Sequence, residues 1–311
     1  MDLPANFSKC VCFLCVLQNG KYVPKGTCFF IAIPYDAAGV TGSHLYLVTA
    51  KHCIEKAQSQ GALYARLNSA DGFRIVELNE EWTYPDAAGS DVAVLPFNKF
   101  CQASDEIHAV PITMLATNDI LRDKRIGLGD DVVVVGLFSK HHGNKKNIPI
   151  IRAGVISAMP GEPLIGSDGA EYKAYLVEMH STGGLSGSPL FVTKDWFVDP
   201  KNKTQNLGLQ LFSFEFYLLG IVRGHWESQD LTDFVEDVGA AERFNMGIAI
   251  ATPTQECFSI LNGEVLRTER GPKSFRGVVR RILAVTSPQL ADGGGFGGAG
   301  RIDGCVAAAI D

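Results

Sequence analysis

The sequence lacks both a long apolar run and an excess of positive charge. None of its apolar segments approaches the ~18 residues that a membrane-spanning helix requires. Its 28 Lys and Arg residues are outnumbered by 34 Asp and Glu residues, so the net charge is −6 and no global positive field is available to hold phosphate backbones. We therefore expect neither a membrane nor a nucleic acid as a main partner.

A convincing secretory signal is also missing. The apolar segment 10–17 is preceded by Asp2 as well as Lys9, and no small-residue cleavage site follows it. An Asn-Gly pair at 19–20, which is a strong turn signal, leads from it to a second apolar run at 28–33. The pattern predicts a β-hairpin at the start of a β domain, and we expect a cytoplasmic protein.

The eight cysteines have no regular spacing. Without a secretory signal, we expect reduced thiols buried as small hydrophobic side chains. Cys10, Cys12 and Cys15 raise the question of a metal site, but on a strand the first two share one face and the third lies on the other. No matching ligand pair follows, so we expect no metal and no other cofactor.

Short segments rich in Val, Ile, Phe and Tyr recur along the chain, separated by Gly, Pro, Asn or Asp. Helical periodicity is scarce, with candidates only after residue 52 and at about 254–266. Many short strands with few helices indicate an all-β protein of barrels or sandwiches, in which the polar stretch 98–112 would divide two lobes.

The composition changes after about residue 270. Residues 267–281 are rich in Arg and Lys, and residues 292–300 are mostly glycine. This composition is typical of a flexible linker, so we expect a disordered tail. The basic run could meet an acidic partner, although a solvated linker is the commoner explanation.

A histidine and an aspartate each stand beside a strand pattern. His52 directly follows the apolar run 45–49, where a rigid element could hold a general base. Asp91 precedes the alternating strand 92–97 and could fix the tautomer of an imidazole. Each also has an ordinary interpretation, as a histidine at a strand end and as a turn residue.

Residues 181–191 form a glycine-rich turn that delivers Ser186 just before a strand. Glycine permits positive φ, which lets backbone N–H groups point into a concave pocket and stabilise an oxyanion. A flexible Gly/Ser loop is the alternative, but it fits less well because apolar strands bound the segment on both sides.

Together these segments resemble the chymotrypsin/trypsin-like peptidases, and most closely the bacterial trypsin-like and HtrA-type domains. The order His, Asp, Ser is the one that this family uses, and the resemblance covers about residues 10–262. The matching motifs lie at residues 26–31, 49–53, 91–95, 184–189, 218–222 and 246–250.

The resemblance implies an all-β fold with a few short helices, made of two six-stranded antiparallel Greek-key β-barrels with the active site in the cleft between them. Three parts are expected: an N-terminal barrel at 1–105 with His52 and Asp91, a C-terminal barrel at 106–268 with Ser186 and a final helix, and the tail at 269–311.

The resemblance also implies a serine endopeptidase that acts on proteins or peptides. Ser186 would attack the scissile carbonyl, His52 would accept and return its proton, and Asp91 would orient His52. The backbone amides of Gly184 and Ser186 would form the oxyanion hole. We expect this chemistry to need no cofactor.

Two departures from the family pattern bear on regulation and on disulfides. Leu185 stands where digestive enzymes have an aspartate that pairs with a newly exposed N-terminus, so we expect no zymogen activation but constitutive activity or a regulatory partner protein. Cys53 matches a family cysteine whose partner position falls on Gly26 rather than Cys28, so we expect no disulfide there.

Substrate specificity depends on three further positions that the resemblance assigns to the S1 pocket. His180 would lie at its base, with His225 and Gly247 on its walls. Two imidazoles could accept an acidic or amide P1 side chain, but either could instead face elsewhere in its loop.

Two other functions are compatible with parts of this pattern. One is a non-catalytic, peptidase-like module that binds peptides, whose usual mark would be a missing triad residue. The other is an esterase of the α/β-hydrolase type, which needs a helix after the nucleophile and a histidine that follows it in the chain. Here a strand follows Ser186 and the best histidine precedes it.

Overall fold

Strands dominate the architecture of the protein. The computed structural model describes residues 5–37, 40–87, 89–139, 141–166, 169–179, 184–196, 213–227, 245–270, 300–302 and 305–309. The longer strands are β1 Val11–Gln18, β2 Lys21–Ala37, β3 Val40–Thr49, β4 Leu63–Ser69, β5 Gly72–Glu77, β6 Ala93–Pro96, β7 His108–Pro111, β8 Asp131–Gly136, β9 Ile150–Ala158, β12 Tyr175–Glu178, β13 Pro189–Trp196, β14 Ser213–Glu227 and β15 Asn245–Pro253. The short strands are β10 Leu164–Ile165, β11 Glu171–Tyr172, β16 Gly300–Ile302 and β17 Cys305–Ala309.

The described helices are short. They are α1 Lys51–Gln58, α2 Asn118–Asp123, α3 Thr254–Asn262 and α4 Glu264–Arg270, with 3₁₀ helices at Ala5–Lys9, Asn98–Phe100 and Ile112–Met114. The single helix predicted at 254–266 is thus two helices that meet at Gly263, whose extended backbone ends the first. Among the described residues, no helix is long and apolar enough to cross a membrane.

The predicted N-terminal hairpin is present. Strands β1 and β2 pair antiparallel, and Gln18 faces Lys21 across the turn. Asn19 and Gly20 have φ values of 50° and 73°, the left-handed pair that a two-residue turn requires. Positions 28–33 of β2 are all buried. Strands β1 and β3 pair along the two edges of this strand, and core side chains pack on both of its faces.

Strands β1 to β7, which we call the first half, belong to one sheet that also contains β16 and β17 from the end of the chain. Its order is β16-β17-β7-β2-β1-β4-β5, and β3 pairs with both β2 and β6. The second half forms a closed six-stranded barrel with the order β12-β15-β14-β13-β8-β9. The predicted barrel is therefore confirmed for the second half, whereas the second barrel and the Greek-key connections stay predictions.

Two features concern the predicted division of the chain. Within the stretch 98–112, β7 pairs in parallel with β2, so part of the predicted divider belongs to the first sheet. At the end of the tail, β17 lies parallel to β7, and the disorder expected for 269–311 stays a prediction. Residues 271–299 lie outside the described part of the chain, and the predicted boundaries stay predictions.

Candidate active site

The register between β3 and β6 brings His52 and Asp91 together. Thr49, the last residue of β3, faces Ala93, the first residue of β6. His52 lies three residues after Thr49 in the first turn of α1, and Asp91 lies two residues before Ala93. Both strands are apolar and buried at this point, so the junction is held by the sheet and the core beneath it.

The carboxylate of Asp91 binds His52 at two points. Its Oδ2 lies 2.7 Å from Nδ1 of His52, and its Oδ1 accepts a hydrogen bond from the His52 backbone N–H at 2.9 Å. Asp91 is only 5% exposed. Because a carboxylate only accepts hydrogen bonds, the neutral ring carries its proton on Nδ1, and Nε2 is the acceptor atom. This is the state that a general base requires.

Nε2 of His52 faces the Sγ atom of Cys53 at 3.5 Å. Burial and the neighbouring charge of Asp91 raise the pKa of the Cys53 thiol, so this group is a neutral S–H beside the ring. A Cβ atom on Gly26 would lie 3.1 Å from that Sγ, so position 26 does face Cys53. The seven cysteines between Cys10 and Cys257 are free thiols.

The turn that carries Ser186 depends on two glycines with positive φ. Gly184 has φ +104° and Gly187 has φ +82°. A Cβ on Gly187 would lie 2.2 Å from both the carbonyl oxygen of Thr27 and Oγ1 of Thr49. A larger residue has no room at position 187, since the turn presses directly on the first sheet.

Thr27 of β2 holds this turn from the opposite half of the molecule. Its backbone N–H donates to the Ser186 carbonyl at 3.0 Å. Its hydroxyl donates to the Gly184 carbonyl at 2.9 Å and accepts from the Leu137 N–H at 2.9 Å. Thr27 is fully buried, so these bonds do not compete with water.

Among the hydrogen bonds of the described residues none joins Ser186 to His52, and a link between the two segments runs through Gly26. A Cβ on Gly26, in contact with Cys53, would also lie 3.3 Å from the Ser186 carbonyl oxygen. The Ser186 hydroxyl donates to the carbonyl oxygen of Arg223 at 3.3 Å. Among the described residues, the backbone amides of Gly184 and Ser186 have no acceptor, whereas the amides of Gly187 and Ser188 are bonded.

Arg223 is a site residue that the sequence analysis did not identify. Its Nε lies 3.9 Å from Oδ2 of Asp91, and its Nη1 donates to the Gly89 carbonyl at 2.9 Å. Its guanidinium stacks 3.8 Å from the ring centroid of Tyr172. The available signal was an arginine directly after the apolar run 218–222.

Glu256 of α3 is the second residue that sequence reasoning missed. Its carboxylate accepts a hydrogen bond from the Ser90 hydroxyl. Burial raises the pKa of Glu256, and the neighbouring charge of Asp91 acts in the same direction, whereas the charge of Arg223 lowers it. The carboxylates of Asp91 and Glu256 and the guanidinium of Arg223 therefore lie close together. Asp91 is the member of this group that contacts His52.

The positions assigned to the S1 pocket are only partly described. His180 lies outside the described residues. His225 lies on β14 opposite Ala249 of β15, and Gly247, also in β15, has φ +78° and accepts a hydrogen bond from the Met179 N–H at 2.7 Å. His225 and Gly247 thus lie on neighbouring strands, and their role in specificity stays a prediction.

Two further expectations, on zymogen activation and on a metal site, concern Leu185 and the cysteines of the segment 10–15. Leu185 is 1% exposed and belongs to the apolar core of the barrel, and the expected absence of zymogen activation stays a prediction. Within the described part of the chain, no three His, Cys, Asp or Glu side chains are grouped so that they could hold a metal ion.

Comparison with known proteins places this geometry in context. The model of the trypsin-like peptidase domain matches residues 26–198, which is more than half of the 311-residue chain. No curated protein matches the chain.

Solved structures similar to this chain are proteases of low sequence identity. The MamO protease domain from Magnetospirillum magneticum is 14% identical, with 82% of this chain and 97% of that chain covered and a TM-score of 0.46. The HtrA-type protease AlgW with decapeptide is 15% identical, with 85% and 67% covered and a TM-score of 0.47. The active form of the Rv3671c protease from M. tuberculosis is 16% identical, with 83% and 82% covered and a TM-score of 0.43.

Proposed function

We propose that this chain, which belongs to the trypsin-like peptidase domain family, is a serine endopeptidase in which His52, Asp91 and Ser186 form the catalytic triad. The observation that carries the proposal is the buried Asp91 carboxylate, 2.7 Å from Nδ1 of His52. This contact leaves Nε2 of His52 as the base that would act on Ser186.

In the proposed reaction, the Ser186 hydroxyl leaves the Arg223 carbonyl, passes its proton to Nε2 of His52 and attacks the scissile carbonyl carbon. His52 then donates that proton to the leaving amine as the peptide C–N bond breaks, which leaves an acyl-enzyme. Water attacks the ester with His52 again as base, releasing the carboxylic acid and restoring Ser186. Asp91 stabilises the imidazolium in both halves of the cycle.

The developing oxyanion needs donors that have no other partner. We assign this role to the backbone amides of Gly184 and Ser186, since neither has an acceptor among the described residues. Positive φ at Gly184 lets its amide turn towards the space in front of Ser186. Removing one such donor typically lowers kcat by about 10²–10³-fold.

A non-catalytic module that binds peptides is the alternative function. The observation that favours it is the Ser186 hydroxyl, which bonds to the Arg223 carbonyl rather than to His52. General-base catalysis, however, depends on a carboxylate that fixes the tautomer of the histidine, whereas peptide binding alone does not require one. We therefore rank the peptidase first.

A fluorophosphonate probe separates the two functions, because it reacts only with an activated serine. We expect the native protein to be labelled and the Ser186→Ala variant not to be. Ser188→Ala is the matched control, since Ser188 is fully buried two residues away and should leave labelling intact. A folded native protein that stays unlabelled would favour the binding module.

The cleavage profile of a proteome-derived peptide library, with Ser186→Ala as the blank, tests the substrate proposal in the same preparation. We propose that His180 and His225 favour an acidic or amide side chain at P1, because imidazole groups can donate hydrogen bonds to carboxylate and amide oxygens. Cleavage only after aliphatic residues would contradict that assignment while leaving the peptidase proposal intact.

A further inference from the structure

Arg223 contacts both the proposed acid and the proposed nucleophile. Its Nε lies 3.9 Å from Oδ2 of Asp91, and its carbonyl oxygen accepts the hydrogen bond of the Ser186 hydroxyl at 3.3 Å. Asp91 precedes β6 of the first sheet, whereas Ser186 precedes β13 of the closed barrel. One residue of β14 therefore connects the two parts of the site.

The guanidinium of Arg223 is held in one orientation. Nη1 donates to the Gly89 carbonyl at 2.9 Å, one face lies 3.8 Å from the Tyr172 ring centroid, and the side chain is only 24% exposed. Stacking on an aromatic ring together with a charge-assisted hydrogen bond restricts a planar cation strongly.

The loop that carries Asp91 is confined from the other side. A Cβ on Gly89 would lie 2.0 Å from the Glu171 carbonyl oxygen and 3.1 Å from Cβ of Tyr172. The backbone at Gly89 is therefore pressed against β11, the same strand on which Arg223 stacks. Arg223 and β11 together fix the approach of the loop to His52.

Several charged and titratable groups face Asp91. Among the described residues they are His52 and Cys53 from α1, Arg223 from β14 and Glu256 from α3. The thiol is neutral because burial raises the pKa of Cys53, and the guanidinium keeps its charge at every relevant pH. Arg223 is thus a permanent cation 3.9 Å from Oδ2 of Asp91, the same oxygen that contacts Nδ1 of His52.

We propose that Arg223 is a positioning residue of this site, whose guanidinium holds the Asp91 loop and whose charge opposes protonation of His52 in the resting enzyme. This inference rests on the proposed peptidase function and deepens it. Replacing a nearby cation by a neutral group favours the protonated form of an imidazole, while Asp91, which is in direct contact, stabilises the imidazolium during the reaction.

Two substitutions separate the charge of Arg223 from its hydrogen bond. Arg223→Gln keeps an N–H donor for the Gly89 carbonyl but removes the charge, whereas Arg223→Lys keeps both. We expect the acid limb of the pH profile of kcat/KM to move upwards by about half a pH unit in Arg223→Gln. In Arg223→Lys it should stay at the native position. A residue that acts only by packing would lower the rate without moving the limb.

Glu256→Gln provides an independent variant should Arg223→Gln fail to fold. Removing this carboxylate takes a negative charge away from the same cluster, so the acid limb should move in the opposite direction, to lower pH. Thermal unfolding of each variant verifies that the protein is folded before its profile is measured.

The second measurement follows His52 directly by NMR in the Ser186→Ala protein, with the signal assigned by its loss in His52→Ala. The pH at which half of the His52 rings are protonated, the midpoint, should rise in Arg223→Gln. In Arg223→Lys it should equal the value without a substitution at position 223. This readout needs no turnover. If the midpoint shifts but the protein with Ser186 intact cleaves no peptide, the peptidase proposal is overturned and the role of Arg223 is retained. An unchanged midpoint in Arg223→Gln, or equal shifts in Gln and Lys, would overturn the inference.

Discussion

At the scale of single residues, the site depends on how the two oxygens of Asp91 are used. Oδ2 faces Nδ1 of His52, and Oδ1 accepts from the backbone N–H of the same residue. Both contacts require an acceptor. A side chain of the same shape that can also donate would change the proton on the ring without changing the packing.

Asp91→Asn makes that change. The amide can donate to Nδ1, which would place the ring proton on Nε2 and remove the base, so we expect kcat to fall by about 10³–10⁴-fold with KM little altered. Steady-state kinetics on a peptide substrate checks this. Asp119→Asn, at an exposed position of α2, is the matched control, and equal activity of the two variants would contradict the proposed role of Asp91.

At the scale of elements, β2 is more than a strand of the first sheet. The hydroxyl of Thr27 bridges the Gly184 carbonyl and the Leu137 N–H, and its carbonyl accepts from the Thr49 hydroxyl at 2.7 Å. The turn of Ser186 is thus attached to β2 and, through Thr49, to the end of the strand that leads to His52. The strand and the turn act as one unit.

Thr27→Val removes the hydroxyl and keeps the shape of the side chain. The buried N–H of Leu137 and the half-buried carbonyl of Gly184 lose their partner, which should lower the free energy of unfolding by about 1–3 kcal/mol. We also expect kcat to fall, because the Gly184 peptide loses its anchor. Urea unfolding and steady-state kinetics measure the two effects.

Thr27→Ser retains the hydroxyl and is the control for that experiment. It should restore most of the activity that Thr27→Val loses, at a small cost in packing from the missing methyl group. If Val and Ser variants were equally active, the hydroxyl bridge would have no part in positioning the turn.

At the scale of the whole molecule, the two halves share their apolar core. Phe7 stacks edge-on against Phe191 with ring centroids 4.8 Å apart, and the core of the first sheet also includes Leu218 and Cys257 of the second half. At the end of α4, Arg270 donates to the Tyr46 hydroxyl of β3 at 2.8 Å. Unfolding of one half should therefore expose apolar surface of the other.

A pH dependence of global stability follows from His44, which lies two residues before Tyr46 in the chain. Burial and then the charge of Arg270 lower the pKa of His44 from 6.5 to about 4. Between these values the unfolded chain binds more protons than the folded one, so the free energy of unfolding should fall as the pH drops from 6.5 towards 4.

Urea unfolding at pH 7 and pH 5 measures this difference. His44→Gln cannot be protonated and should reduce the loss of stability between the two pH values. His141→Gln, at an exposed position, is the control and should leave the loss unchanged. An identical pH dependence in the native protein and in His44→Gln would contradict the role of His44.

Features encoded by neighbouring residues could be predicted from the sequence. The hairpin at Asn19 and Gly20, the predominance of strands, and the positions of His52, Asp91 and Ser186 beside strands all follow from periodicity, turn chemistry and the spacing of polar residues. Such patterns depend on local backbone preferences, which one sequence displays directly.

Contacts between distant residues were decided only by the tertiary structure. Thr27 meets Gly184 across 157 positions of the chain, and Arg223 meets Gly89 across 134. Neither residue belongs to a pattern that marks its partner, because a threonine in a strand and an arginine after an apolar run are ordinary. The sequence by itself determined which side chains could do chemistry. Sheet register and barrel closure decided which residues hold them in place, since those depend on packing across the whole molecule.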